Sequence, residues 1–195
     1  MSAAVFVVVV LAIWGSMHAV LLWHLLSIPA ATELLPRWAI AAAVAALGIA
    51  FPASRLLAAT PLRALAPPLE VVGATWMGII WLALTCLLVA ELATGFGLWA
   101  APIRPALRGW ALLAAAALSV AALVQGLRPP VVRRHDVTLA ALPGARDGTV
   151  LVFVSDLHLG TMTGDSWLRA RIAQVGALDP DIVVIGGDVF EGDGD

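Results

Sequence analysis

Apolar positions dominate the first two-thirds of the chain in four long runs, roughly Ala3–Leu26, Trp38–Ala53, Val71–Ala90 and Leu107–Leu127. A helix needs about 20 largely apolar residues to cross a bilayer, with a range near 17–25. The first, third and fourth runs meet that length. The second is short, and Pro52 and Arg55 interrupt its end. It reaches the required length if it starts near Leu34 and Arg55 snorkels. Four spans are therefore expected, with three as the alternative. The first run lacks the basic start and the short apolar core of a secretory signal, so it is expected to stay in the membrane.

After Pro129-Pro130 the pattern changes to short runs of β-type residues and turn signals. Val131–Leu139 holds enough β-branched residues for a strand. Pro143-Gly144 and Asp147-Gly148 mark a turn. Val150–Ser155 is a continuous apolar run of the kind found in a buried central strand. Ser166–Leu178 has helical spacing, with Leu168, Ile172 and Val175 on one side and Ser166 or Asp165 as a cap. Ile182–Ile185 is a second apolar strand, ending at Gly186-Gly187-Asp188. Strand, helix, strand at this spacing predicts a βαβ unit with parallel strands and a right-handed crossover. The expected fold class is thus a multi-pass α-helical membrane domain, residues 1–128, followed by a partial α/β domain, residues 129–195.

Composition sharpens this division. The chain is 62% apolar and 12% charged, against roughly 45–50% and about 25% in soluble domains, so the bilayer is the expected partner. Six Arg and three acids precede residue 130, whereas five Arg and ten acids follow it. No basic cluster beyond Arg133-Arg134 suggests nucleic-acid binding. The single Cys86 lies in a span and excludes an internal disulfide. Seven of the eight Trp precede residue 130, several near run ends, as in an interfacial belt. Arg in the short loops divides five against three in favour of cytoplasmic termini, which puts the soluble part in the cytoplasm of a cell-membrane protein.

Within the spans, His18 and His24 lie six positions, about 240°, apart on a helix. They cannot share a face as ligands of one haem, and packing is expected of both. Glu91, at the end of the third run, is expected to reach the interface. The spans show no paired ionisable residues, which leaves a transporter with little support. The tail residues Glu191, Asp193 and Asp195 lack the terminal Glu of a calcium loop and are expected to be solvated.

Candidate chemistry sits at the ends of the two strands. Parallel neighbours bring their C-terminal ends to one sheet edge, where open α/β proteins place their sites. That edge receives Asp156 and His158 from the first strand and Asp188 from the second. In an extended Asp-x-His segment, alternate residues share a face. Two carboxylates and an imidazole suit Mn, Fe or Zn. A cation held there neutralises phosphate oxygens and activates a water.

Ser155-Asp156-Leu157-His158-Leu159-Gly160, then Pro180-Asp181 and Gly187-Asp188, resembles the opening of the calcineurin-like metallophosphoesterases. The membrane-attached bacterial members are the most similar, with a hairpin carrying Leu142-Pro143 and Asp147-Gly148 before the first motif. The resemblance covers residues 131–195. It implies a two-metal site of divalent ions in the full domain, with Asp156 and His158 on the first metal and Asp188 bridging. It also implies hydrolysis of a phosphate ester by a metal-activated water; membrane anchoring, not the resemblance, makes a lipid or other membrane-proximal ester the expected substrate. The family's later Asn-His and Gly-His-x-His motifs do not occur in these 195 residues. A fragment with little activity of its own is expected. The alternative is a non-catalytic membrane protein with a vestigial or partner-binding stub.

Overall fold

The computed structural model describes residues 2–190; the acidic tail Glu191, Asp193 and Asp195 lies outside the described residues. The chain divides into two compact units that meet between Leu127 and Arg128. The structure is mostly helical, with one small two-stranded sheet.

The first unit contains α1 (Ala3–Leu26), α2 (Pro29–Leu34), α3 (Arg37–Ala58), α4 (Ala66–Ala93) and α5 (Arg104–Gly126). All but α2 are long and apolar enough to cross a membrane. Proline sets several starts: Pro29, Pro67 and Pro105 lie in first turns, where a missing N–H costs no intrahelical bond. The α1 start is capped by Ser2, whose hydroxyl accepts from Val5 N at 3.4 Å. The second span, expected to be short, instead runs 22 residues straight through Pro52. Pro52 has no N–H for the carbonyl four residues back, that of Gly48. Trp14 Nε1 of α1 donates to that same oxygen at 2.8 Å. An indole on the neighbouring helix thus replaces the bond that proline removes, as an apolar solvent requires. Further along, Arg55 pairs with Glu70 at 3.0 Å across the α3–α4 turn.

Helix α4 packs against α1, α3 and α5. Leu21, Ile80, Ala83, Leu87 and Ala115 form the buried core. Gly73 lets α3 approach: a Cβ there would lie 2.5 Å from Phe51 N. His18 closes another contact. Its Nδ1 bonds the Trp14 carbonyl at 2.8 Å, and its Nε2 accepts from Trp76 Nε1 at 2.9 Å. A carbonyl only accepts, so the Nδ1–H tautomer is fixed. His18 is a packing residue bridging α1 and α4. Around this core, Val5 to Leu11 of α1 and large side chains such as Trp81 and Val89 are exposed, an apolar surface suited to lipid contact.

In the second unit, β1 (Leu151–Val154) pairs in parallel with β2 (Ile182–Ile185), with α6 (Asp165–Gly176) between them in sequence. The register is Leu151↔Ile182 through Val154↔Ile185. Asp181 fixes it: its carboxylate accepts from Val150 N at 2.8 Å, and its N–H donates to Val150 O at 2.9 Å. Three local expectations are corrected. Val131–Leu139 forms no strand: it pairs with neither β1 nor β2, and β propensity without a partner forms no sheet. With no strand before it, the Pro143–Gly148 stretch is a turn and not part of a hairpin. The α6 cap is Gly164, with no side-chain bond from Ser166 or Asp165. On α6, Leu168 and Val175 are half-buried while Ile172 is exposed. None of the described residues after Leu127 is buried.

Candidate metal centre and a buried charge cluster

Beyond β1 and β2 the two segments stay zipped together. Gly186 N donates to Val154 O at 2.8 Å, Asp156 N to Gly187 O at 3.1 Å, His158 N to Asp188 O at 3.0 Å and Leu159 N to Val189 O at 2.8 Å. A parallel bridge joins Leu159 and Phe190. These bonds hold the two post-strand loops side by side, carrying Asp156, His158 and Asp188 to the same edge.

The backbone there is not extended. Asp156, His158 and Asp188 have φ of 56°, 43° and 48°, and Gly187 has 113°. Left-handed backbone costs a non-glycine residue roughly 1–2 kcal/mol, and Asp and His tolerate it better than most. The expectation that an extended Asp-x-His turns both side chains to one face is therefore corrected: left-handed residues at both positions bend the loop. Thr163 braces the same loop, its hydroxyl donating to the His158 carbonyl and accepting from Gly160 N. Gly186 permits the close approach of the strands, since a Cβ would lie 2.3 Å from the Phe153 ring and 3.2 Å from Ser155 Cβ.

Ligand-capable atoms of Asp156, His158 and Asp188 lie within 4.8 Å of one another, and all three residues are exposed. A cation bound at about 2.0–2.2 Å draws its donors to within roughly 4.4 Å of each other. Small rotations of exposed side chains reach that spacing. Two carboxylates and one imidazole are donors for a borderline divalent ion. His135, the other histidine of this unit, lies in the irregular segment before β1 and belongs to no such group among the described residues.

Two curated proteins resemble the chain, both named transmembrane protein with metallophosphoesterase domain. The one from Danio rerio is 40% identical over 81 residues and the one from Bos taurus 34% over 89. The matches support a metallophosphoesterase-related family. They take in 42% and 46% of this chain, but only 18% and 19% of the relatives. The chain thus spans under a fifth of the length of these proteins. No family model matches, and no solved structure matches. Together with the four apolar helices, the relatives' names support a membrane protein.

A second cluster was not foreseen. Glu91 is 4% exposed, packed among charged partners. Its Oε2 accepts from Arg104 Nε at 2.9 Å and Nη2 at 2.6 Å, and its Oε1 accepts from Arg108 Nε at 2.6 Å. His24 Nε2 lies 3.3 Å from the same Oε1. Arg108 Nη1 donates to Ser27 Oγ at 2.5 Å, and both guanidiniums lie over Trp23, Arg108 at 4.7 Å and Arg104 at 5.9 Å from the ring centre. The expectation that the apolar helices hold no paired ionisable residues is corrected. The signal was in the sequence: an acid at the end of one apolar run and two Arg, four apart, opening the next. A short turn brings those ends together, so their charges pair where water is scarce.

Proposed function

We propose that the chain is the multi-pass membrane anchor and the opening part of a metal-dependent phosphoesterase. Four helices cross the cell membrane, and the soluble unit lies in the cytoplasm. In the complete catalytic domain Asp156 and His158 would hold one divalent ion, and Asp188 would be shared with a second. When bound, such ions neutralise phosphate oxygens and lower the pKa of a coordinated water. The protein's own contribution is position: the ladder bonds beyond the strands fix three donors at one edge, with two carboxylates supplying negative charge for the cations. The proposed substrate is a phosphate ester of a lipid or of another membrane-proximal molecule.

The convergence of Asp156, His158 and Asp188 within 4.8 Å carries this proposal, and the relatives' printed names support it. Support for a larger domain comes from the sheet. Parallel sheets are ordinarily covered on both faces, yet every residue of β2 is exposed and Phe153 of β1 is 63% exposed. Further strands and helices would cover them.

Two measurements test the proposal. This chain should bind Mn²⁺, read by electron paramagnetic resonance, and Asp188→Asn should weaken that binding about tenfold or more. A longer gene product carrying the rest of the domain should hydrolyse an aryl phosphate with Mn²⁺ and lose that activity in Asp156→Ala and Asp188→Asn. Unchanged rates in both variants would refute the assigned roles.

A further inference from the structure

The segment that leaves α5 is basic and unpaired. Helix α5 ends at Gly126 with Leu127 as its cap, and Arg128, Arg133 and Arg134 follow directly. All three are exposed, and none has an ion pair or hydrogen bond among the described residues. Asp136 is the one acid between Arg128 and Leu139, whereas three Arg and nine acids occupy the chain from Ala140 to Asp195. The second unit thus starts basic and continues acidic.

Large apolar side chains stand among these charges. Val131 is 84% exposed, Val137 75% and Leu139 61%, and the backbone from Pro129 to Leu139 is irregular. Pro129 and Pro130 fix their own φ and keep the link to α5 extended. An exposed segment that mixes Arg with Val and Leu is matched by negative charge for its guanidiniums and an apolar layer for its other side chains. The headgroup region of an anionic bilayer supplies both. Chain continuity brings them together: a span ending at Leu127 delivers Arg128 to that region, so the association is intramolecular.

We propose that residues 128–139 are a lipid-dependent tether: Arg128, Arg133 and Arg134 bind the phosphates of an anionic leaflet, and Val137 and Leu139 enter its headgroup region. The tether rests on the four-span topology proposed above, in which α5 crosses the bilayer and ends at the cytoplasmic leaflet, the one that carries acidic lipid. Each Arg near such a surface is worth about fivefold in partition, so three amount to roughly a hundredfold. Gln174 Nε2 of α6 donates to the Pro130 carbonyl at 2.8 Å, so α6 is fastened to the segment that the lipid holds. Neither metal nor hydrolysis enters this role, which is separate from that of Asp156, His158 and Asp188.

The test uses the full chain in nanodiscs of phosphatidylcholine, alone or mixed with phosphatidylglycerol, where both leaflets match and sidedness plays no part. A nitroxide on Thr138→Cys, in a Cys86→Ser background, reports collisions with a neutral, water-soluble nickel complex by electron paramagnetic resonance. Collisions are expected to fall about tenfold or more when phosphatidylglycerol is present. Arg128→Gln, Arg133→Gln and Arg134→Gln together should restore the phosphatidylcholine value. These side chains hold no contact within the fold, so folding is spared. Molar salt, which cuts the screening length to about 3 Å, should weaken the protection in the same way. Equal accessibility in the two lipids overturns the tether, whether high in both for want of surface binding or low in both through burial that needs no acidic lipid. Protection that survives the triple variant overturns the role of the three Arg. Carbonate extraction of the wild-type chain tests the spanning topology separately, and Mn²⁺ binding tests the phosphoesterase reading without reference to lipid.

Discussion

Glu91→Ala is the most informative perturbation of the helical unit. The carboxylate accepts three charge-assisted bonds from two Arg, and removing it affects them unequally. The Arg104 side chain is 25% exposed and can turn outward, so its loss is worth about 1 kcal/mol or less. Arg108 is 5% exposed at its side chain and would be left charged and uncompensated, at a cost near 3–5 kcal/mol. For a chain of this size, each kcal/mol moves the melting temperature by about 2–4 °C. A fall of roughly 6–20 °C is therefore expected in detergent, followed by tryptophan fluorescence. The double variant Glu91→Leu/Arg108→Leu removes both buried charges and should recover most of that loss. A single variant within about 0.5 kcal/mol of wild type, or a double variant as unstable as the two singles added, would refute the view that an uncompensated buried charge is the cause.

Two glycines of one helix give a matched pair. Gly73→Ala places a methyl 2.5 Å from Phe51 backbone, whereas nothing lies within 4 Å of a Cβ at Gly78. Gly73→Ala should cost about 1–3 kcal/mol by forcing α3 and α4 apart. Gly78→Ala should gain up to about 1 kcal/mol from helix propensity, both read from detergent melting curves. In the soluble unit, Asp181→Ala removes the acceptor for Val150 N and should cost about 0.5–1.5 kcal/mol. Faster hydrogen exchange at Val150, with the α4 amides unchanged, is the expected signature.

The sequence alone determined the features that depend on local order. Run length and apolar content marked four helices to within a few residues, because a span must satisfy its own backbone bonds and needs only enough consecutive apolar residues. The strands around Phe153 and Val184 were legible for the same reason, as uninterrupted apolar runs between turn signals. Tertiary structure decided what depends on distant partners. Val131–Leu139 carries β propensity, but a strand needs a partner, and this segment pairs with neither β1 nor β2. Pro52 was tolerated because Trp14, 38 positions earlier, supplied the lost donor. Asp156, His158 and Asp188 converge through left-handed backbone that no alternation pattern encodes. Glu91, Arg104 and Arg108 were visible as charges near helix ends, but only the fold set them in one buried cluster. Electrostatic pairing is an interaction through space, and its strength follows from burial that a one-dimensional pattern does not contain.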